Sequence, residues 1–156
     1  MSGCANLDVL KEEPTTVAEL TLAEAKALAI ETADEVASLY PADRVTERSS
    51  STESRSLSDC RGEHNYAWPG RTSLVVMPET DQLAVLEPMA AELLTRPGWK
   101  AEAFIVRDGG RAALDFSAPN GVSGRVGFYK GASEVWVDVF SPCFHLPGGY
   151  EWGEKY

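Results

Sequence analysis

The chain has 156 residues, which suits one domain or one domain with a tail, and its 44% of hydrophobic residues excludes wholesale disorder. Its 24 acidic residues outnumber its 14 Lys and Arg residues, and the net charge of −10 argues against a nucleic-acid-binding protein and against a polybasic membrane-surface protein. The sequence has no run of about 18 apolar residues of the kind that a membrane-spanning helix needs.

Residues 1–20 predict a flexible tether that carries a lipid. The small residues Ser2 and Gly3 stand directly before Cys4, as they do at the end of a bacterial lipoprotein signal, where the cysteine is lipidated. The residues after Cys4 are mostly polar, which is typical of a tether. The charged and apolar parts of such a signal are not among the three residues before Cys4. Two interpretations follow: the chain begins at the processing site of a lipoprotein, or Cys4 is simply a cysteine near a terminus.

A helix is predicted from residue 22 to residue 40. Thr21 and Glu24 have the spacing of a capping box, and small or apolar residues recur along one stripe of the helix. Pro41 ends it. Residues 44–59 are polar and rich in Ser and Thr, so they form either solvated edge strands or a loop.

The second half of the chain predicts a strand, a helix and four further strands. The helix begins at Thr80 or Asp81 and continues to about residue 95, and Pro88 inside it predicts a kink or a second helical piece. Three turn signals separate the last four strands, namely Asp108-Gly109-Gly110, Asn120-Gly121 and Lys130-Gly131. The five predicted strands are 72–77, 99–107, 111–117, 122–129 and 134–141.

We therefore expect an α+β fold in which an antiparallel β-meander packs against two helices. Residues 21–146 would form the single domain, and residues 147–156 a C-terminal tail. Alternation along the meander predicts one apolar face, directed at the helices. This face carries Phe104, Val106, Ala112, Leu114, Phe116, Val122, Val126, Phe128, Val135, Val137 and Val139.

The opposite face of the meander is the best candidate for a partner surface. It carries Arg125, Tyr129, Trp136 and Phe140 among charged neighbours. Exposed aromatic side chains beside an arginine suit the binding of a protein or a glycan. The alternative is that the polar segment, the first helix or the tail covers this face.

Cys60 and Cys143 predict a disulfide. If Cys4 carries a lipid, these two form an even pair in an exported protein, where oxidised pairs persist. The bond would close a long loop and stabilise the fold by roughly 4–5 kcal/mol. One alternative is a pair of free thiols in a cytosolic protein. The other is a zinc site in which both cysteines act with His64 and His145, although the spacing is not that of a standard zinc finger.

The sequence carries no catalytic signature. His64 and His145 are its only histidines, and it has none of the common motifs that place a nucleophile beside a base. We predict no catalytic residues, no metal and no cofactor. The two histidines are expected to lie in loops beside the disulfide.

In layout the chain resembles small actinobacterial lipoproteins of the LppA-like kind. The matching features are Cys4, an early helix, Cys60 before a strand, and Cys143-Phe144 after the last strand. The resemblance implies a lipid-anchored protein with a signal peptide and one disulfide, on the extracellular face of the cell membrane. It implies no activity.

We therefore expect a non-enzymatic lipoprotein that binds an unknown protein, glycan or small molecule, reaches the membrane through its N-terminal lipid and does not bind nucleic acid. The first alternative is a small-ligand carrier with a cavity between sheet and helices. The second is a cell-wall hydrolase or an accessory subunit of one, which would hold His64 or His145 beside an acid in a deep pocket.

Overall fold

The computed structural model describes residues 18–106 and 110–156, so the predicted lipid site at Cys4 lies outside the described residues. The α-helices of the described residues are α1 (Leu22–Ala37) and α2 (Gln82–Leu94), and a short 3-10 helix at Ala42–Arg44 follows α1. The strands are, in chain order, β1 (Val45–Ser50), β2 (Ser58–Asp59), β3 (Asn65–Ala67), β4 (Pro69–Val76), β5 (Lys100–Ile105), β6 (Ala112–Ser117), β7 (Ser123–Tyr129), β8 (Glu134–Phe140) and β9 (Phe144–His145).

The α+β prediction is confirmed. Six strands form an antiparallel sheet in the order β1-β4-β8-β7-β6-β5, so the predicted meander of β5 to β8 is one continuous part of it. β4 adds to the meander beside β8, and β1 pairs with β4 at the edge. A second, three-stranded sheet, β2-β3-β9, was not predicted.

Helix α1 begins as its capping box predicts. The Thr21 hydroxyl accepts a hydrogen bond from the Glu24 amide at 3.1 Å, and the Glu24 carboxylate accepts one from the Thr21 amide at 3.1 Å. The buried stripe of α1 consists mainly of alanines, which lets the helix lie close against β4 and β8. The helix ends at Ala37, three residues earlier than predicted.

Helix α2 packs against β5 and β6, on the same side of the sheet as α1. Its N-cap is Asp81, whose carboxylate accepts a hydrogen bond from the Ala84 amide at 3.1 Å. The helix continues through Pro88 as one element. The side chains that fill the space between helices and sheet are fully buried and include Leu74, Leu86, Leu93, Leu114, Val126, Phe128, Val135 and Val137.

The polar segment after α1 resolves into an edge strand, a loop and the short strand β2. The edge strand β1 is held to α1 by polar contacts. The Arg48 guanidinium and the Ser50 hydroxyl both donate to the Asp34 carboxylate at 3.0 Å. Polar side chains therefore attach β1 to the helix, whereas apolar side chains attach the other strands. This explains why β1 has no alternation of apolar residues.

The face predicted for Phe104 is wrong. Phe104 pairs with Ala113, and the Arg125 guanidinium lies 5.3 Å from its ring centre on the side of the sheet away from the helices. The side chains of β5 that face α2 alternate with Phe104 and are those of Ala101, Ala103 and Ile105. Small alanines suit a close approach of α2, whereas a phenylalanine would hold the helix away. Val106, assigned to the same face, lies just after the end of β5.

A buried tyrosine gives the fold a measurable response to alkaline pH. The Tyr40 hydroxyl donates to the Glu79 carboxylate at 3.5 Å, and Glu79 also forms an ion pair with Arg44. Burial, with the negative charge of Glu79, raises the pKa of Tyr40 to about 12. The unfolded chain would lose this proton near pH 10, so the contribution to stability is present below pH 10 and is lost as the pH rises to about 12.

We therefore expect the free energy of unfolding to decrease between pH 10 and pH 12 more steeply in the wild-type protein than in Tyr40→Phe. Tyr40→Phe keeps the aromatic contact with Phe128 and removes only the titrating hydroxyl. Urea unfolding at several pH values measures the difference. Parallel pH profiles for the two proteins would contradict the raised pKa.

Candidate functional site

The side of the sheet away from the helices, here called the outer face, is the candidate site. All four predicted partner residues lie on it, and neither helix packs there. The C-terminal Tyr156 exchanges backbone hydrogen bonds with Ser54, and its carbonyl accepts a further one from the indole of Trp68. The side chains of the outer face that matter below are Arg71, Asp115, Arg125, Tyr129, Trp136, Asp138 and Phe140.

Trp136 is the centre of an aromatic stack. The Arg71 guanidinium carbon lies 3.7 Å from the indole centre, and the Tyr129 ring lies 3.9 Å from it at an interplanar angle of 21°. Two groups this close to one ring face would occupy the same space, so Arg71 and Tyr129 cover opposite faces of the indole. Gly127 makes room for this stack, because a Cβ there would lie 3.2 Å from the Tyr129 ring. Trp136 therefore offers no free face on which a sugar ring could stack.

A carboxylate holds the edge of this stack. The indole N–H of Trp136 donates to Glu134 at 3.0 Å, and Lys130 forms an ion pair with the same carboxylate at 2.7 Å. The hydrogen bonds from Lys130 and from Trp136 hold the pKa of Glu134 below its ordinary value. Glu134 therefore serves in this stack as the shared acceptor for Lys130 and the Trp136 indole.

A row of alternating charges crosses four neighbouring strands next to the stack. Asp115, Arg125, Asp138 and Arg71 are successive cross-strand partners on β6, β7, β8 and β4. Arg125 donates twice to Asp115, at 2.6 and 3.0 Å, and this hydrogen bonding raises the pKa of Arg125. Arg71 donates twice to Asp138, at 2.5 and 3.3 Å. Each arginine is thus oriented by one bidentate carboxylate.

An open groove lies between Arg125, Asp138 and the end of the sheet. The groove has a volume of about 670 Å³ and is lined by Ser51, Ser54, Pro69, Gly70, Arg71, Arg125, Asp138, Val139 and Phe140. Phe140 is 43% exposed and also lines a second depression, of about 350 Å³, that continues to the disulfide. An exposed aromatic ring between two depressions, with oriented charges beside it, can hold a partner with both apolar and polar groups.

Sequence reasoning placed Asp138 on the outer face but missed Arg71, which completes this groove with it. Their pairing depends on β4 lying next to β8, a contact between strands that are far apart in the chain. The alternation of β8 does predict Asp138 on the outer face. Nothing in the sequence indicates which side chain of β4 lies opposite it.

The predicted disulfide is confirmed. The sulfur atoms of Cys60 and Cys143 are bonded at 2.01 Å, and the bond joins the segment after β2 to the residue before β9. Because each sulfur is bonded to the other, the alternatives of free thiols and of a two-cysteine zinc site are both wrong. Among the residues that the structure describes, no group of three or more His, Cys, Asp or Glu side chains has an arrangement that would hold a metal ion.

His64 lies in the turn before β3, as expected of a loop residue, whereas His145 lies on β9 and not in a loop. The two rings are close to each other, and neither lines the groove. Within residues 18–106 and 110–156, no helix is long and apolar enough to cross a bilayer.

Comparisons of the chain with protein-family models, with curated proteins and with solved structures found no match.

Proposed function

We propose that this protein is a cell-envelope lipoprotein of the LppA-like kind, anchored through Cys4 at the extracellular face of the membrane, with a non-enzymatic binding role. The observation that carries the binding role is the groove of the outer face, where Phe140 is exposed beside charges that are already oriented. Exposed aromatic residues next to arginine are typical of binding surfaces.

Phe140 and Arg125 are the proposed contact residues, whereas Trp136 and Tyr129 are proposed to support them. The indole is covered on both faces and holds Arg71 in place, so its role is to keep the groove in shape. Arg125 is half exposed and keeps donors free while it pairs with Asp115. A protein segment with apolar and acidic groups is the partner that this combination favours.

The position of the first described residues supports attachment near the groove. The Ala18 amide donates to the Cys143 carbonyl at 3.0 Å, so the chain enters the domain beside the disulfide. Cys143 and Phe140 line the same depression. The segment from Cys4 to Ala18 spans at most about 50 Å when fully extended. The proposed partner therefore lies within or close to the envelope.

The location of the groove favours surface binding over the two alternatives. A small-ligand carrier would need a cavity between sheet and helices, and this space is filled by Leu, Val and Phe side chains. A hydrolase would need a histidine beside an acid in a deep pocket, and neither histidine lines the groove.

Photocross-linking in cells tests the proposed surface. A photoreactive phenylalanine analogue would replace Phe140 in the lipidated protein, with Leu94 as the matched control. Leu94 is 57% exposed on α2, on the other side of the sheet. We expect a discrete adduct from position 140 and none from position 94. The binding role is contradicted if neither position gives an adduct, or if both give the same one.

A separate experiment tests the anchor. We expect labelled palmitate to be incorporated into the full-length protein and not into its Cys4→Ala variant, and the variant to leave the membrane fraction. Equal membrane recovery of the two proteins would contradict lipid attachment at Cys4, while leaving the cross-linking result independent.

A further inference from the structure

The small sheet brings the two histidines of the chain together and fixes the segments that carry them. Asn65 on β3 pairs with His145 on β9, and the Leu146 amide donates to the His64 carbonyl at 2.8 Å. The Cys60–Cys143 disulfide covalently ties the same two segments. The centres of the two imidazole rings lie 6.4 Å apart.

The hydrogen bonds of Asn65 determine which nitrogen of His145 is free. The Asn65 amide nitrogen donates to the Arg61 carbonyl at 2.9 Å, so its amide oxygen is the atom that faces His145 Nδ1, also at 2.9 Å. An amide oxygen only accepts hydrogen bonds, so neutral His145 carries its proton on Nδ1. The lone pair is then on Nε2, which is the arrangement found in metal-ligating histidines held by an outer hydrogen bond.

His64 is held in place by its backbone conformation and by contacts of its ring. Its backbone has a φ of 59°, in the left-handed region, and its ring packs against Gly149, where a Cβ would lie 3.2 Å from His64 Nε2. Glu63 provides a carboxylate oxygen 3.7 Å from the same nitrogen. The exposed side chain of Glu63 thus stands where it can neutralise part of a cation's charge.

We propose that His64 and His145 form a two-histidine surface site for a divalent first-row transition-metal ion, with water as the remaining ligands. Imidazole suits copper and zinc. With metal–nitrogen distances of about 2.0–2.1 Å, two imidazoles on one ion have ring centres roughly 5–6 Å apart. The observed separation of 6.4 Å is close to this range. Cu²⁺ should bind more tightly than Zn²⁺.

The test uses tag-free, oxidised protein in a Cys4→Ala background, so that no other histidine or free thiol competes. Calorimetric titration with CuCl₂ or ZnCl₂ alone should give one ion per chain. We expect His64→Ala and His145→Ala each to weaken binding at least tenfold, and the double variant to show only the background from surface carboxylates. Thermal unfolding without metal checks that each variant is folded.

Electron paramagnetic resonance of the Cu²⁺ complex gives a second, independent measurement. We expect coupling to two imidazole nitrogens in the parent protein and to one in each single variant. Asn65→Leu keeps both ligands but removes the partner of Nδ1, and should weaken binding severalfold. Binding that is absent at saturating metal, or that is unchanged when either histidine is removed, would overturn the site.

Discussion

Removal of the Cys60–Cys143 disulfide is expected to lower the free energy of unfolding by about 4.5 kcal/mol. The bond joins residues 83 positions apart, so it excludes most extended conformations of the unfolded chain. It also holds β9, a strand of two residues, in the small sheet. Urea unfolding of the double variant Cys60→Ser/Cys143→Ser measures the loss.

The control for this comparison is Cys4→Ser alone, which should unfold like the parent protein. The double variant Cys60→Ser/Cys143→Ser is best made in the Cys4→Ser background, so that no thiol is left to form a different bridge. Intact mass with and without reductant verifies the bond before the measurement. A loss below about 1 kcal/mol with the bond verified would contradict its stabilising role.

Trp68→Ala is expected to lower the free energy of unfolding by about 3–5 kcal/mol, as large-to-small substitutions of buried aromatic residues do. Trp68 is fully buried and is the single residue that separates β3 from β4 along the chain. Its indole N–H donates to the Tyr156 carbonyl at 3.1 Å, and its ring fills the space above Gly70, where a Cβ would lie 2.4 Å from it. The substitution would leave a cavity and release the end of the chain.

Trp152→Ala is the matched control, because Trp152 is 89% exposed and its removal should change the stability by less than about 0.5 kcal/mol. Chemical denaturation of the two variants checks the pair. Equal losses would show that Trp68 is not a core residue. Trp68→Phe should fall between the parent protein and Trp68→Ala.

The meander was predictable because its information is local. Turns such as Asn120-Gly121 lie directly between the strands that they join, and hairpin pairing follows from them. The positions of β4 and of β1 were not predictable, since both depend on contacts between distant segments. The small sheet escaped prediction because strands of two or three residues carry no periodic pattern.

The error at Phe104 has the same origin. Alternation along the predicted strand assigned Phe104 and Val106 to the apolar face, whereas Ala101, Ala103 and Ile105 occupy it. Side chains alternate with a period of two, so a shift of one residue moves every side chain to the other face. The packing of α2 decides which residues of β5 face the helix, because small side chains are needed there. The sequence of β5 alone does not contain this information.

Four residues of the outer face could be assigned from sequence because β7 and β8 alternate clearly between apolar and other side chains. Whether helices cover that face depends on their packing and was left open. The groove is also lined by Arg71, which lies beside Asp138 because β4 pairs with β8. The residue pattern of a single strand does not predict that pairing.

The most direct measurement is the dissociation constant between the domain and the partner captured through position 140. Phe140→Asp replaces an exposed apolar ring with a charge beside Asp138, whereas Leu94→Asp makes the same kind of change on the helical side. We predict that Phe140→Asp weakens binding at least tenfold and that Leu94→Asp leaves it unchanged. Unaltered binding by a folded Phe140→Asp, or equal weakening by both variants, would contradict a binding site on the outer face.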